Sequence, residues 1–194
     1  MTMKRLFMLG ILVFTSASLL AAQQTKASSP SVSNADTISK AMSAGPPDIA
    51  KDAAIVEPTT GGQMKELRPG NNGWVCMAQP MRMCLDKQWQ NWADAWANKK
   101  DPNITAVGIG YMLSGDEGAS NTDPYATAPT SDNQWVVAPA HVMVLTPDTK
   151  QLDALPTDPH NGGPWVMWKG TKYAHIMVPV AAMPKGPPSN AATK

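Results

Sequence analysis

Two periodicities organise the middle of the chain. Over residues 86–98, "DKQWQNWADAWAN", bulky residues return every third or fourth position, and Leu85, Trp89, Trp92, Ala93 and Trp96 fall on one stripe. That spacing predicts an amphipathic helix that buries its tryptophans. Asp86 supplies a cap at the start, and Asp101-Pro102 blocks continuation. Residues 104–113, "ITAVGIGYML", then switch to alternation. One strand face carries Ile104, Ala106, Gly108, Gly110 and Met112; the other carries Thr105, Val107, Ile109, Tyr111 and Leu113. Glycine weakens a strand unless something must come close. The small-residue trough therefore predicts a bulky partner, the tryptophan stripe, with a ligand pressed on the glycines as the alternative.

Alternation predicts further strands at 134–137 and at His141–Leu145, "HVMVL". Ile55-Val56 opens another, and 74–77 follows the turn Asn71-Asn72-Gly73. Near the end, 165–169 and 172–178 flank Gly170-Thr171, a glycine-first loop suited to a tight hairpin. In that register Trp168 opposes Tyr173, Met167 opposes Ala174 and Val166 opposes His175. Trp165, Met167, Ala174, Ile176 and Val178 then form a core face. Val166, Trp168, Tyr173, His175 and Met177 form the other, half aromatic and half polar. Short helices are expected at 35–44, capped by Asn34, at 47–53 and at 147–155. Residues 114–130 read as a long polar loop, a place where function often sits. The sum is an α+β fold. It is a single small domain with a mostly antiparallel sheet, a Trp-rich helix packed on it, and short peripheral helices.

The termini carry a different pattern. Lys4-Arg5 precede an uncharged run over residues 6–20, and Ala21-Ala22 lead into polar sequence. This is the layout of a signal peptide over 1–22. The run is shorter than the roughly 20 apolar residues of a membrane span. Residues 23–34 then read as a disordered tether, 35–182 as the globular domain, and 183–194 as a disordered tail. No transmembrane segment is expected after cleavage, and the location is periplasmic or secreted. Loss of Lys4 and Arg5 takes the formal net charge from +1 to −1. With no basic stripe, nucleic acid is excluded as a partner. Both phenylalanines, Phe7 and Phe14, leave with the leader, so seven Trp and three Tyr must supply all aromatic packing and recognition.

Export bears directly on "CMAQPMRMC", residues 76–84. Two cysteines in an oxidising compartment favour a Cys76–Cys84 disulfide over a soft-metal loop built with Met77, Met81 and Met83. Closing nine residues stabilises by about 2.6 kcal/mol through chain entropy. Two strands share a second motif, His141-Val142-Met143 and His175-Ile176-Met177. If they are neighbours, His141, Met143, His175 and Met177 offer a copper set of imidazoles and thioethers. Satisfied core histidines are the ordinary alternative, and no metal or cofactor is favoured. Motifs that join a nucleophile to its base are absent, so no catalytic residue is assigned. "DPHNGG", with Asp158 and His160, reads as a turn.

The stretches "DPNITAVGIGYML", "LDALPTDP" and "GGPWVMWKGTKYAHIMVPV" resemble a family of exported bacterial proteins with no assigned activity. The likeness spans about residues 37–180 and is most distinctive in "PWVMW…YAHIMVPV". It implies an envelope or extracellular location and brings no activity, cofactor or site residue. The expected function is that of a small exported binding or envelope-associated protein. Its candidate ligand-binding residues are Trp168, Tyr173, His175 and His141, together with the 114–130 loop. An unknown small ligand, a glycan or a peptide would be the partner. The rivals are a hydrolase using a strand histidine and a periplasmic copper-binding protein using the His-x-Met pairs.

Overall fold

The computed structural model describes residues 32–184. The leader, the tether up to residue 31 and the tail from residue 185 lie outside the described residues. Helix α1 (Val32–Met42) and the short α2 (Pro47–Ala50) open the described chain. Strands β1 (Ala54–Pro58), β2 (Met64–Arg68), β3 (Val75–Met77) and β4 (Met83–Leu85) lead to helix α3 (Lys87–Ala97). Then come β5 (Gly108–Met112), β6 (Ala119–Ser120), β7 (Trp135–Val136), β8 (His141–Leu145), β9 (Trp165–Met167) and β10 (His175–Pro179). Eight strands form one sheet in the order β2-β1-β3-β4-β5-β8-β10-β9, and β6 pairs with β7 apart from it. Among the described residues only the β1–β3 contact is parallel. The expected α+β domain with a mostly antiparallel sheet is the one found.

Strand alternation sends successive residues to opposite faces, and both faces are covered. On one face Leu85, Met112, Met143, Leu145, Trp165, Met167 and Met177 meet Trp89 and Trp92 of α3. On the other, Cys76, Cys84 and Ile55 meet Ala41, Ala44, Ala50 and Ala53. The alanines let α1 and α2 approach the sheet closely. Gly45 lies so near the bridge that a Cβ there would stand 2.8 Å from Cys84 Sγ. At the far end, Leu152 covers Val166 and Ala174 on this second face.

Helix α3 sits where its cap puts it. Asp86 Oδ1 accepts from Trp89 N at 2.9 Å, closing the first turn. Its Oδ2 accepts from Ile109 N at 2.6 Å, which ties the helix start to β5. The glycine trough then receives the helix. A Cβ on Gly110 would lie 3.3 Å from Trp89 Cδ1, and one on Gly108 would lie 2.8 Å from Gln88 Cβ. The packing of bulky helix on small-residue strand is realised, over a shorter strand: residues 104–107 lie outside β5.

The disulfide joins directly opposed residues. Cys76 and Cys84 are partners in the β3–β4 ladder, bonded at 2.02 Å and fully buried. The double substitution Cys76→Ala with Cys84→Ala is expected to lower the unfolding free energy by about 2–3 kcal/mol. Urea unfolding followed by far-UV circular dichroism measures it. An unchanged midpoint would mean that the tight β-hairpin alone already holds this loop.

Several expectations are corrected. The helix α1 begins at Val32, so residues 32–34 are helical and not tether. Met183, assigned to the tail, packs against the main core. The helix expected over 147–155 is a single 3-10 turn, Thr149–Leu152, with Asp148 capping Lys150 N. Three strands went unforeseen: β2, β4 inside the cysteine loop, and the two-residue β6 within the 114–130 loop. The final hairpin is the largest difference. Its ladder pairs His175 with Met167, Ile176 with Val166 and Met177 with Trp165, one residue away from the expected register. A one-residue slip exchanges the two faces. His175 and Met177 therefore join the main core, while Val166, Ala174 and Ile176 turn to the opposite side.

Candidate functional site

The slip originates at Trp168. Its backbone takes the left-handed conformation, φ 57°, instead of continuing β9. The carbonyl of Trp168 accepts from Thr171 N at 3.1 Å and from Thr171 Oγ1 at 2.8 Å, closing a turn. The indole swings back over α3. The face expected to be open is therefore interior: Trp168 is 9% exposed, Tyr173 2%, His175 2% and His141 0%. These four residues do not form a surface platform.

They instead help build an aromatic interior. Trp168 lies parallel to Trp92, with centroids 5.6 Å apart and planes 6° apart. It is equally parallel to Trp96, at 6.4 Å and 8°. The stack continues outward from Trp96 to Tyr125, at 6.0 Å and 5°. His175 enters edge-on against three indoles, Trp89 at 5.2 Å, Trp92 at 5.6 Å and Trp168 at 5.1 Å. Its Nδ1 bonds the Tyr173 carbonyl at 2.9 Å. Burial lowers the His175 pKa to about 4, so the imidazole in this cage is neutral.

Indole N–H groups fasten the long loop to this interior. Trp168 Nε1 donates to Ser120 O at 2.6 Å, Trp165 Nε1 to Asn121 Oδ1 at 3.2 Å, and Trp96 Nε1 to Pro124 O at 3.0 Å. Trp89 Nε1 donates to Met143 O at 3.2 Å, binding helix to sheet. Trp92 Nε1 is buried with no hydrogen-bond partner among the described residues. The 114–130 segment is thus a clamped loop carrying β6, rather than a free lid.

The aromatic stack reaches solvent at Tyr125, 39% exposed. Its hydroxyl turns inward and donates to Tyr173 Oη at 2.9 Å, and Tyr173 Oη donates to Lys100 O at 2.8 Å. Desolvation, and then the bond to Tyr173, hold the Tyr125 phenol up at about 12. Two ammonium groups stand over these rings: Lys99 Nζ is 5.2 Å from the Tyr125 centroid and Lys172 Nζ 5.4 Å from that of Tyr173. Asp101, hydrogen-bonded to Lys172, raises the Lys172 pKa. Tyr125, Trp96, Lys99 and Lys172 are thus the accessible aromatic and cationic groups of the site. Sequence reading missed Tyr125 as an individual residue. Its signal was a single aromatic ring inside a long polar loop.

No family model, curated protein or solved structure matches this chain.

The geometry also separates the two His-x-Met pairs. Strands β8 and β10 are neighbours, and Met143 faces Met177 in the ladder. Because they run antiparallel, the histidines point to opposite ends: His141 pairs with Pro179 and His175 with Met167. The four do not meet at one point. His141 Nδ1 bonds Pro139 O at 2.6 Å, and its Nε2 is buried with no hydrogen-bond partner among the described residues. Burial lowers the His141 pKa, while Asp116 opposes that shift. Asp116 itself is raised by burial, although its Oδ1 accepts from Gly118 N and Ala138 N at 3.0 and 2.9 Å. The Asp158–His160 motif is an exposed turn, with His160 N donating to Asp158 Oδ1 at 2.9 Å.

Proposed function

We propose that this chain is an exported, disulfide-stapled binding module of the bacterial envelope, and that it holds its ligand where the aromatic stack opens at Tyr125. The buried disulfide supports export, since such a bond persists in oxidising compartments. Among the described residues no helix is long and apolar enough to cross a membrane. The observation that carries the reading is the rim itself. An exposed tyrosine ring is braced against Trp96 at 6.0 Å, with an ammonium 5.2 Å above it. A braced ring presents a flat apolar face at little entropic cost. Lys172 is paired with Asp101, so Lys99 is the cation that favours a ligand combining a sugar ring or peptide plane with a carboxylate.

Intrinsic tryptophan fluorescence tests this, because Trp96 lies against the rim. Soluble peptidoglycan fragments, which carry both sugar rings and carboxylates, are the probe, and neutral cello-oligosaccharides are the control. The fragments are expected to shift Trp emission saturably. Tyr125→Ala should weaken binding at least tenfold, about 1.4 kcal/mol. Tyr125→Phe should bind within about twofold of wild type, because the lost hydroxyl faces inward. Equal binding by wild type and Tyr125→Ala would exclude the rim as the site.

A further inference from the structure

We propose that the core carries a Cu(I) site built from His141 Nε2 and the thioethers of Met112, Met143 and Met177. The inference is independent of the Tyr125 rim, which lies at the other end of the aromatic stack from the sheet.

The imidazole is set up as a ligand. A carbonyl oxygen only accepts, so the 2.6 Å contact from His141 Nδ1 to Pro139 O fixes the proton on Nδ1. The lone pair then lies on Nε2, which is buried and has no hydrogen-bond partner among the described residues. A histidine that donates through one ring nitrogen to a backbone carbonyl and leaves the other bare is oriented as metal-binding histidines are. A fully buried acceptor without a partner is otherwise an unexplained cost.

Register places three methionines beside His141 on one sheet face. Met112 is the direct partner of His141 across β5 and β8. Met143 lies two residues along β8 on the same buried face. Met177 is the partner of Met143 on β10, diagonal to His141. Opposed Cβ atoms in such ladders are about 4.5–5.5 Å apart, and diagonal ones about 7–8 Å. Methionine, unbranched and with three rotatable bonds, spans those gaps. Gly110 gives Met143 its room: the Met143 methyl group lies 2.9 Å from where a Cβ would stand on that glycine, towards the strand that carries Met112. All three methionines are buried.

The donor set selects the metal. Three soft thioethers with one neutral, borderline imidazole suit Cu(I). Zinc prefers thiolate, imidazole and carboxylate, and both cysteines are committed to the disulfide. Among the described residues no cluster of three His, Cys, Asp or Glu side chains is present. The set differs from a pairing of two His-x-Met motifs, because His175 lies at the opposite end of the β8–β10 ladder and is enclosed by indoles.

The test is an anaerobic titration of the disulfide-intact protein with Cu(I) in competition with bicinchoninate, followed by methionine methyl NMR. One equivalent is expected to be withdrawn from the indicator. The methyl resonances of Met112, Met143 and Met177 should move while exposed Met64 stays still. His141→Ala risks unfolding, so Met112→Leu and Met143→Leu, which conserve volume, are the informative variants. Each is expected to weaken Cu(I) binding at least tenfold with a small change in melting temperature. The proposal is overturned by any of three results: no Cu(I) withdrawn from bicinchoninate, shifts confined to Met77, Met81 and Met83 of the disulfide loop, or full affinity in both leucine variants.

Discussion

Replacing Trp89 by alanine is expected to lower the unfolding free energy by about 3–5 kcal/mol. Trp89 is 2% exposed and lies at the crossing of helix and sheet. Its ring covers Gly110, stands edge-on to His175 at 5.2 Å and leans on Trp92 at 4.9 Å. Alanine would open a cavity bounded by a strand that has no side chain to fill it. The indole N–H that bonds Met143 O would go as well. Small domains are stable by only about 5–15 kcal/mol, so this single change would approach the unfolding threshold. A double-mutant cycle tests the geometry more directly. Gly110→Ala alone places a methyl 2.9 Å from Met143 Cε and 3.3 Å from Leu85 Cδ2 and Trp89 Cδ1. Such overpacking costs about 1–3 kcal/mol. In the Trp89→Ala background the same methyl has space, and a coupling of about 1 kcal/mol is expected. Strict additivity in urea unfolding would mean that the helix does not rest on the glycines.

That helix was legible because its pattern and its packing agree. Its cap at Asp86, its tryptophan stripe and its glycine trough each pointed to the same arrangement, and α3 spans Lys87–Ala97 as the spacing implied. Strand β8 was legible for a similar reason, since one of its faces is buried and alternates cleanly. Strand β2 was not. Its sequence, Met64–Arg68, is mostly exposed at the sheet edge, so burial imposes no alternation. Charged residues suit such an edge, where they discourage pairing with other chains. Strand β4 was hidden because three residues between a cysteine loop and a helix cap are too few to show a period.

The candidate site was read only in part, and Trp168 is the reason. The glycine-first loop after it suggested a tight hairpin that would hold Trp168 and Tyr173 on an outer face. No local rule forecasts a tryptophan in the left-handed conformation. What holds it there is tertiary: stacking on Trp92 and Trp96, and bonds to Asn121 O and Ser120 O. The sequence showed which residues were aromatic, but long-range contacts decided which of them reach water. Tyr125 does, because the Asp123-Pro124 turn delivers it to the end of the stack: Tyr125 N donates to Asp123 Oδ1 at 2.8 Å.

The neutral histidine at the centre of that stack makes stability depend on acid. Burial among indoles lowers the His175 pKa, to about 4; the bond to the Tyr173 carbonyl acts against it, and the charge of His141 adds a smaller lowering. An unfolded histidine titrates near 6.5. Above that value both states are neutral and the full stability is present. As pH falls from about 6.5 towards about 4, the unfolded chain takes up a proton that the folded chain refuses, and stability is lost. Between about pH 7.5 and about pH 4.5 the loss due to His175 is about 2–3 kcal/mol. His141, also lowered by burial, adds in the same direction, and Asp116, raised by burial, acts in the opposite one. A subtraction isolates His175. His175→Phe keeps a ring in the cage and removes the titration, while His141 and Asp116 stay in both proteins. Urea midpoints at the two pH values should show the wild type losing about 2–3 kcal/mol more than His175→Phe. Equal losses would show that His175 accepts its proton as readily inside the fold as outside it, which an imidazole edge-on to three buried indoles should not do.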